Sequence, residues 1–386
     1  MKKIAYCCCA GIIGLLTTEF GVIGILPQLA SYYHLSMAKA GWLLSAFALV
    51  IAVAGPFTTL LASGFNRKAV LLLSLAPFLL SNVVSALAPP FWLLLLVRVL
   101  PAFLQPVLYA TALGLVVGGS EPEEGPRLMA IVLSGIGIAT VTTIPLATYA
   151  ASAWGWQAAF VVQAVVSAGA LAVVYWGVPA LPAQGRASYG EQLHILVKPA
   201  FLVGAAVAFL LVAGWFCTYS YFADYLGKAK GMSAAAISSL LLLFGAAGLV
   251  GNWLAGKLLS RNRRGATVVL VLGPLVVAGA LAAAGTLPVP VTLAVAVWGL
   301  LYAPCFLLSS SLISAAAPEA VEFANGLAGS FTNLGVTVGT TVGGWLLLHY
   351  SLRYLPWAGA AFGLAALGVV ALQSWLTTRR ATVAIA

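Results

Sequence analysis

The chain is expected to fold as an all-α membrane protein of twelve spans. Three observations lead there: scarcity of charge, a train of apolar runs of bilayer length, and a count of those runs that agrees with the distribution of Lys and Arg. Charged residues make up 7% of the 386 residues and apolar residues 62%, against roughly a quarter charged in soluble domains. So few charges could not cover the surface of a soluble fold this size, so lipid must be the solvent for much of it. The net charge of +10 does not point to nucleic acid, because the basic residues stand in short clusters between apolar runs rather than on one face.

A bilayer core of ~30 Å needs about 20 apolar residues per helix. Runs of that kind lie at 4–30, 40–62, 69–88, 91–118, 127–150, 156–178, 199–223, 234–259, 266–286, 289–316, 322–349 and 354–377. They lack the strict alternation of a transmembrane strand. Turn-forming punctuation marks the joints: Pro89-Pro90, Glu121-Pro122, Trp154-Gly155, Pro288-Val289-Pro290 and Ala317-Pro318. The first run contains Glu19, with no clear small-residue cleavage site after it, and reads as a span rather than a signal peptide.

Alternate loops divide the basic residues unequally. Lys2, Lys3, Arg67, Lys68, Arg127, Arg186, Lys198, Lys257, Arg261, Arg263, Arg264, Arg379 and Arg380 fall on one side; Lys39, Lys228, Lys230 and Arg353 fall on the other. That is 13 against 4, with Arg98 left inside a span. Positive-inside bias puts both termini in the cytoplasm of a cell bounded by an inner membrane, which requires an even number of spans.

The longest polar connection, Pro179 to Lys198, follows the sixth span and holds Arg186, Glu191 and His194. It divides the chain into residues 1–180, a cytoplasmic linker at 181–198, and residues 199–386. The halves echo each other. Asn66-Arg67-Lys68 after span 2 matches Asn262-Arg263-Arg264 after span 8. Span 5 places small residues every fourth position, at Gly135, Ala139, Thr143, Ala147 and Ala151, and span 11 repeats the period at Gly335, Gly339 and Gly343. Such a row lets two helix backbones approach closely. Its recurrence implies a parallel repeat about an axis along the membrane normal.

Ionisable groups inside spans are costly and are functional candidates by default. Two lie clearly inside. Glu19 is roughly 21 Å from the cytoplasmic start of span 1, and Arg98 is ~10 Å from the outer start of span 4, at 1.5 Å per residue. In a ~30 Å core the two reach similar depth, so they can pair or share a polar cavity. Glu19 reads as a protonatable coupling carboxylate, or else as a member of a buried polar network. Arg98 reads as a guanidinium fixing helix 4 to its neighbours, with Glu19 as its counter-ion. Asp224, ~37 Å along span 7, is expected at the outer interface in contact with solvent. Glu121, Glu123 and Glu124 read as a solvated acidic turn.

The remaining polar and aromatic residues of the spans include Thr17, Thr18, Thr142, Thr143, Asn252, Tyr302 and Asn325. Gln105, Tyr109, Trp215, Tyr219 and Asn333, on helices 4, 7 and 11, are the expected lining of a solute cavity. Aromatics with scattered hydroxyls and amides suit an uncharged or amphipathic solute, although each such residue also serves as helix–helix glue. Pro101, Pro106, Pro145 and Pro304 are expected to kink helices nearby. Cys7, Cys8, Cys9, Cys217 and Cys305 fit neither a zinc site nor a disulfide framework and read as small apolar fillers, with acylation of the first three as the alternative. His34, His194 and His349 are dispersed. No metal-ligand spacing, phosphate loop or nucleophile–base pair occurs, so no cofactor, no metal and no enzymatic activity are expected.

At Thr17-Thr18-Glu19-Phe20-Gly21 and Gly24-Ile25-Leu26-Pro27-Gln28-Leu29-Ala30 the sequence resembles the drug:proton antiporter branch of the major facilitator superfamily, in particular the arabinose and sugar efflux permeases. The resemblance continues through Ala40-Gly41-Trp42-Leu43-Leu44-Ser45, Ala86-Leu87-Ala88-Pro89 to Arg98, Gly155-Trp156-Gln157-Ala158-Ala159-Phe160, Leu242-Leu243-Phe244-Gly245 to Asn252, Ala317-Pro318-Glu319 and Asn333-Leu334-Gly335. It implies two six-helix bundles related by a pseudo-twofold axis, alternating access and proton-coupled export. It also matches Glu19 and Arg98 to the family's helix 1 acid and helix 4 arginine. Several positions depart from the family pattern. Ser63 and Gly64 stand where an acid and arginine follow span 2, and Ser260 replaces the acid after span 8. Gln157 replaces an arginine, and Gln105-Pro106 a histidine-glycine pair.

The expectation is therefore a monomeric secondary transporter in contact with lipid, protons and a small organic solute such as a sugar, nucleoside or drug. A proton-independent facilitator or importer, and a non-transporting membrane sensor or scaffold, are the rival readings.

Overall fold

The computed structural model describes residues 1–62, 65–118, 124–179, 195–317 and 321–385. Among the described residues, twelve helices are long and apolar enough to cross a membrane. They are α1 (Lys2–Tyr32), α2 (Met37–Thr59), α3 (Arg67–Ala86), α4 (Phe91–Val116), α5 (Arg127–Trp154), α6 (Trp156–Gly177), α7 (Pro199–Tyr219), α8 (Ala234–Leu259), α9 (Arg264–Ala283), α10 (Pro288–Ile313), α11 (Leu327–His349) and α12 (Leu352–Gln373). The twelve expected spans are found within a few residues of their expected ends. Ser63, Gly64, Glu121, Glu123 and Glu319, and the linker residues Arg186, Glu191 and His194, lie outside the described residues.

The echoes between the halves have physical causes. Asn66 caps α3, its Oδ1 accepting from the backbone N–H of Lys68 (3.0 Å) and Ala69 (3.3 Å). Asn262 caps the helix that continues into α9 by accepting from Gly265 N–H (2.9 Å). A side-chain oxygen at this position satisfies donors that a helix start otherwise leaves unpaired. Ser36 and Ser233 do the same before α2 and α8, accepting from Lys39 and Ala236 at 3.2 Å each.

The two small-residue rows bring backbones into contact. On α11, a Cβ added to Gly335 would lie 2.7 Å from Phe209 O of α7, one at Gly339 would lie against the Ala213 backbone, and one at Gly343 would lie 2.5 Å from Cys217 O. On α5, a Cβ at Gly135 would lie 2.7 Å from Cys9 O of α1, and two turns on the Thr143 and Thr17 hydroxyls hydrogen-bond each other. The α1–α5 seam of one bundle thus has its counterpart in the α7–α11 seam of the other.

Several helices are broken midway. Helix α1 runs to Phe20, passes through a 3₁₀ turn at Ile23–Ile25 and resumes at Leu26. Helix α4 runs to Val99, tightens into a 3₁₀ turn at Leu100–Phe103 and resumes at Gln105. Helix α5 breaks at Thr142, and α10 breaks between Tyr302 and Pro304. Proline lacks the N–H that continues a helix, so the kinks expected at Pro101, Pro145 and Pro304 follow directly. Between α5 and α6, Gly155 has φ +94°, which a residue with a Cβ adopts only under strain.

The bundles meet at the end of the membrane that carries Lys39, Lys228, Lys230 and Arg353. There Ala38 packs against Gly344, Gly41 against the Tyr221 ring, and Thr337 Oγ1 donates to Ser45 O (3.2 Å). Beyond Tyr219 the chain stays folded over this closed end, through a short helix at Phe222–Asp224 and a π turn at Tyr225–Ala229. Asp224 is consequently buried, at 3% exposure, rather than solvated as expected. Its carboxylate pairs with the exposed Lys228 (2.8 Å).

Candidate functional site

The breaks in α1 and α4 lie side by side and bring their polar residues together. Glu19 stands one turn before the α1 break and is 4% exposed. Gln105 opens the second half of α4, is 5% exposed, and its Nε2 donates to Glu19 Oε2 (2.8 Å). Tyr109, one turn further along α4, is half-buried and within electrostatic reach of Glu19. So is Tyr302 of α10, which belongs to the opposite bundle and stands at its own helix break. The carboxyl group therefore lies where the two bundles face each other.

Arg98 does not become the counter-ion of Glu19. It is fully buried, its Nη2 donates to the Thr18 carbonyl (2.7 Å), and its guanidinium carbon lies 5.2 Å from the centre of the Phe160 ring on α6. No ion pair joins it to Glu19. Arg98 acts one residue short of the carboxyl, on the backbone that precedes it. Around it, Asn82 of α3 donates to the hydroxyls of Thr18 (2.8 Å) and Ser167 (3.0 Å), tying α1, α3 and α6 together. The Glu19 carboxyl is thus held by an amide, and Arg98 by the carbonyl of the adjacent Thr18.

Next to Glu19, Phe20 crosses the seam to Phe216 of α7 (ring centroids 5.9 Å). Phe216 opens an aromatic cluster in the second bundle. Tyr219 stacks on Phe244 (5.0 Å, 15°) and packs against Tyr302 (4.7 Å), with Phe222 and Trp298 completing it. Trp215 reaches Tyr302 at 6.0 Å, but its indole also lies against Gly273 of α9, inside the second bundle. Asn333 is half-buried on α11, with its amide donating to Gly329 O of its own helix (2.9 Å). Of the expected solute-lining residues, the structure gathers Gln105 and Tyr109 around Glu19, Tyr219 in the aromatic cluster across the seam, and Trp215 and Asn333 at greater remove.

The family model of the Major Facilitator Superfamily matches residues 8–322. The chain belongs to that superfamily. It is 27% identical over 355 residues to a "Probable sugar efflux transporter" of Helicobacter pylori strain J99, covering 91% of this chain and 90% of that one. It is 29% identical over 358 residues to the "Inner membrane transport protein YdhP" of Escherichia coli O157:H7, with the same coverage. Among solved structures, the nucleoside transporter NupG superposes with a TM-score of 0.72 at 14% identity, covering 96% of this chain and 99% of that one. A bacterial homologue of the human lysosomal transporter Spinster gives 0.71 at 17%, covering 96% of each chain. These superpositions establish the fold, and membership of the superfamily makes the chain a multi-pass transporter of a small-molecule solute.

In this major facilitator chain, Phe20 and Phe216 add a contact between the bundles beside Glu19, with Tyr302 behind Phe216; the phenylalanines carry no polar group that would mark them in the sequence. The available signal was the Tyr302-Ala303-Pro304 break, since proteins of this kind line their central sites with interrupted helices. Arg98 makes a separate prediction. Arg98→Lys keeps the charge but loses the guanidinium's place over the Phe160 ring and the reach of Nη2 to the Thr18 carbonyl. It is expected to cost about 2 kcal/mol or more, read as a lowered melting temperature in detergent. Arg98→Met carries no charge to bury and is expected to cost less.

Proposed function

We propose that this transporter exports small organic solutes in exchange for protons by alternating access, and that Glu19 carries the proton. The observation that supports this most directly is a buried carboxyl whose partner is an amide rather than a cation, at a helix break facing the opposite bundle. A charge in such a place is costly unless something compensates it. A bound proton and the hydrogen-bonding groups of a solute are alternative means of doing so, and exchange follows when one displaces the other. A proton moving down the membrane potential supplies ~2.3 kcal/mol per 100 mV.

The solute class we favour is an uncharged, polyhydroxylated ring such as a sugar or the sugar part of a nucleoside. Gln105, Tyr109 and Tyr302 offer hydrogen bonds, while Phe20, Phe216 and Tyr219 offer flat apolar faces to the C–H side of such a ring. The names of the Helicobacter pylori relatives agree with this class. The excess of Lys and Arg on one side supports cytoplasmic termini in an inner membrane. Residues 1–180 and 199–386 would then rock as two bodies joined by the linker at 181–198, within a monomer. The contacts of Ala38, Gly41 and Ser45 would part when the outer end opens.

The test is flux in vesicles. Purified protein is reconstituted, an inside-acidic pH gradient is imposed, and uptake of labelled sugars and nucleosides is followed. Those to be tried are chosen by their ability to raise the melting temperature of the folded protein. Uphill accumulation that collapses with a protonophore is the expected result. Counterflow that survives the protonophore, without accumulation at any gradient, would identify a facilitator instead.

A further inference from the structure

The membrane-facing surface between α3 and α6 carries a groove of about 360 Å³ lined almost wholly by apolar atoms. Leu72, Ala76 and Leu79 of α3 and Ala168, Ala172 and Tyr175 of α6 are among the residues that line it. Lys68 lies one turn before Leu72 on the same row of α3 (68, 72, 76, 79). Its ammonium sits 5.2 Å from the centre of the Tyr175 ring, and among the described residues no acid pairs with it. Tyr175 and Trp176 are 56% and 77% exposed at this end of α6, the place where amphipathic rings meet headgroups. From the start of α3, Leu72 to Leu79 extend to roughly 8–18 Å, the depth of one leaflet's chains in a ~30 Å core.

We propose that this groove is a binding site for an anionic phospholipid, one acyl chain lying against the alanines and the headgroup phosphate held by Lys68 over Tyr175. The apolar trough selects a chain. The lysine selects the charge, as a compact ammonium does for phosphate, and the ring below keeps it poised above the groove. The basic loops make this the leaflet where such a lipid meets further positive charge at Arg67, and its assignment as the cytoplasmic leaflet rests on the orientation proposed above. The bound lipid spans α3 and α6, the pair that Asn82 and Ser167 join on their buried sides.

The experiment uses the full chain in detergent, titrated with phosphatidylglycerol or phosphatidylcholine of equal chain length. Retained lipid is counted by native mass spectrometry, and melting temperature is read in parallel. Wild type is expected to retain phosphatidylglycerol preferentially. Lys68→Gln is expected to lose about fivefold of that preference, the worth of one lysine beside an anionic surface. Ala172→Leu fills the trough and is expected to reduce retention of both lipids. Arg127→Gln, a basic residue elsewhere on the same side, is expected to leave retention unchanged. Equal retention of the two lipids by wild type, or a preference untouched by Lys68→Gln, would overturn the headgroup assignment. Retention untouched by Ala172→Leu, or equal stabilisation by glycerol phosphate lacking chains, would overturn the groove. None of these readouts depends on solute flux, so the result stands apart from the transport mechanism.

Discussion

Glu19→Gln is expected to abolish gradient-driven accumulation while leaving the protein folded and able to exchange solute. Glutamine keeps the shape of the side chain, and it can still hydrogen-bond to Gln105 through its carbonyl oxygen, where Nε2 now donates at 2.8 Å. What it cannot do is alternate between a neutral and an anionic form. With one proton per solute and 100 mV across the vesicle membrane, wild type can sustain a ratio of ~50-fold, from ~2.3 kcal/mol per charge. The variant is expected to stop at about onefold, since nothing ties the solute to the gradient. Counterflow of unlabelled against labelled solute is expected to persist, because alternation itself needs no proton in a side chain that is already neutral. Driven accumulation at the wild-type level in this variant would remove Glu19 from the coupling role. Loss of counterflow together with a lowered melting temperature would show a structural role instead.

Gly339→Val is expected to destabilise the second bundle severely. The new Cβ would fall onto the Ala213 carbonyl of α7, with the carbonyl carbon and Cα at 3.0 Å. These are backbone atoms, so no rotamer change relieves the clash, and the two helices must separate along a seam where Gly335 and Gly343 make the same contact one turn away on either side. Overpacking a well-filled core costs ~1–3 kcal/mol, and a clash between backbones belongs at or above the top of that range. The melting temperature in detergent is expected to fall by several degrees, and expression with it. Gly368→Ala on α12 is the control: no atom lies within 4 Å of its added Cβ, and a neutral or slightly favourable effect is expected from alanine's better helix propensity. A Gly339→Val protein that melts with wild type would mean that the α7 and α11 backbones do not meet this closely at Gly339.

Much of this architecture was legible in the residues because the bilayer imposes one-dimensional rules. Length and continuity of apolar runs fix where the chain crosses, since unsatisfied backbone groups cannot remain in hydrocarbon. The four-residue period of Gly335, Gly339 and Gly343 announced a close helix contact, since any Cβ there would hold the neighbour off. Asn66 and Asn262 marked matching helix starts because an oxygen two or three residues before free N–H groups caps them wherever it occurs. Glu19 and Arg98 stood out because charge is rare in spans.

What the residues could not supply was direction around each helix and the identity of the neighbour. Depth arithmetic brought Glu19 and Arg98 to one level but said nothing of which way each side chain points. The two prove to serve different partners, Gln105 for one and the Thr18 carbonyl with Phe160 for the other. Gln105 was legible as a polar residue on helix 4; its bond to Glu19 depends on the 3₁₀ turn at Leu100–Phe103, which sets the rotation of the helix beyond it. Asp224 was placed in solvent by counting residues, yet the chain folds back over the closed end and covers it. The sequence by itself determined the solvent, the number of crossings, the repeat and the rare charged groups, because these follow from local rules of burial and spacing. Only the tertiary structure decided which of those groups meet, because contacts across helices depend on rotation and tilt set jointly by every neighbour.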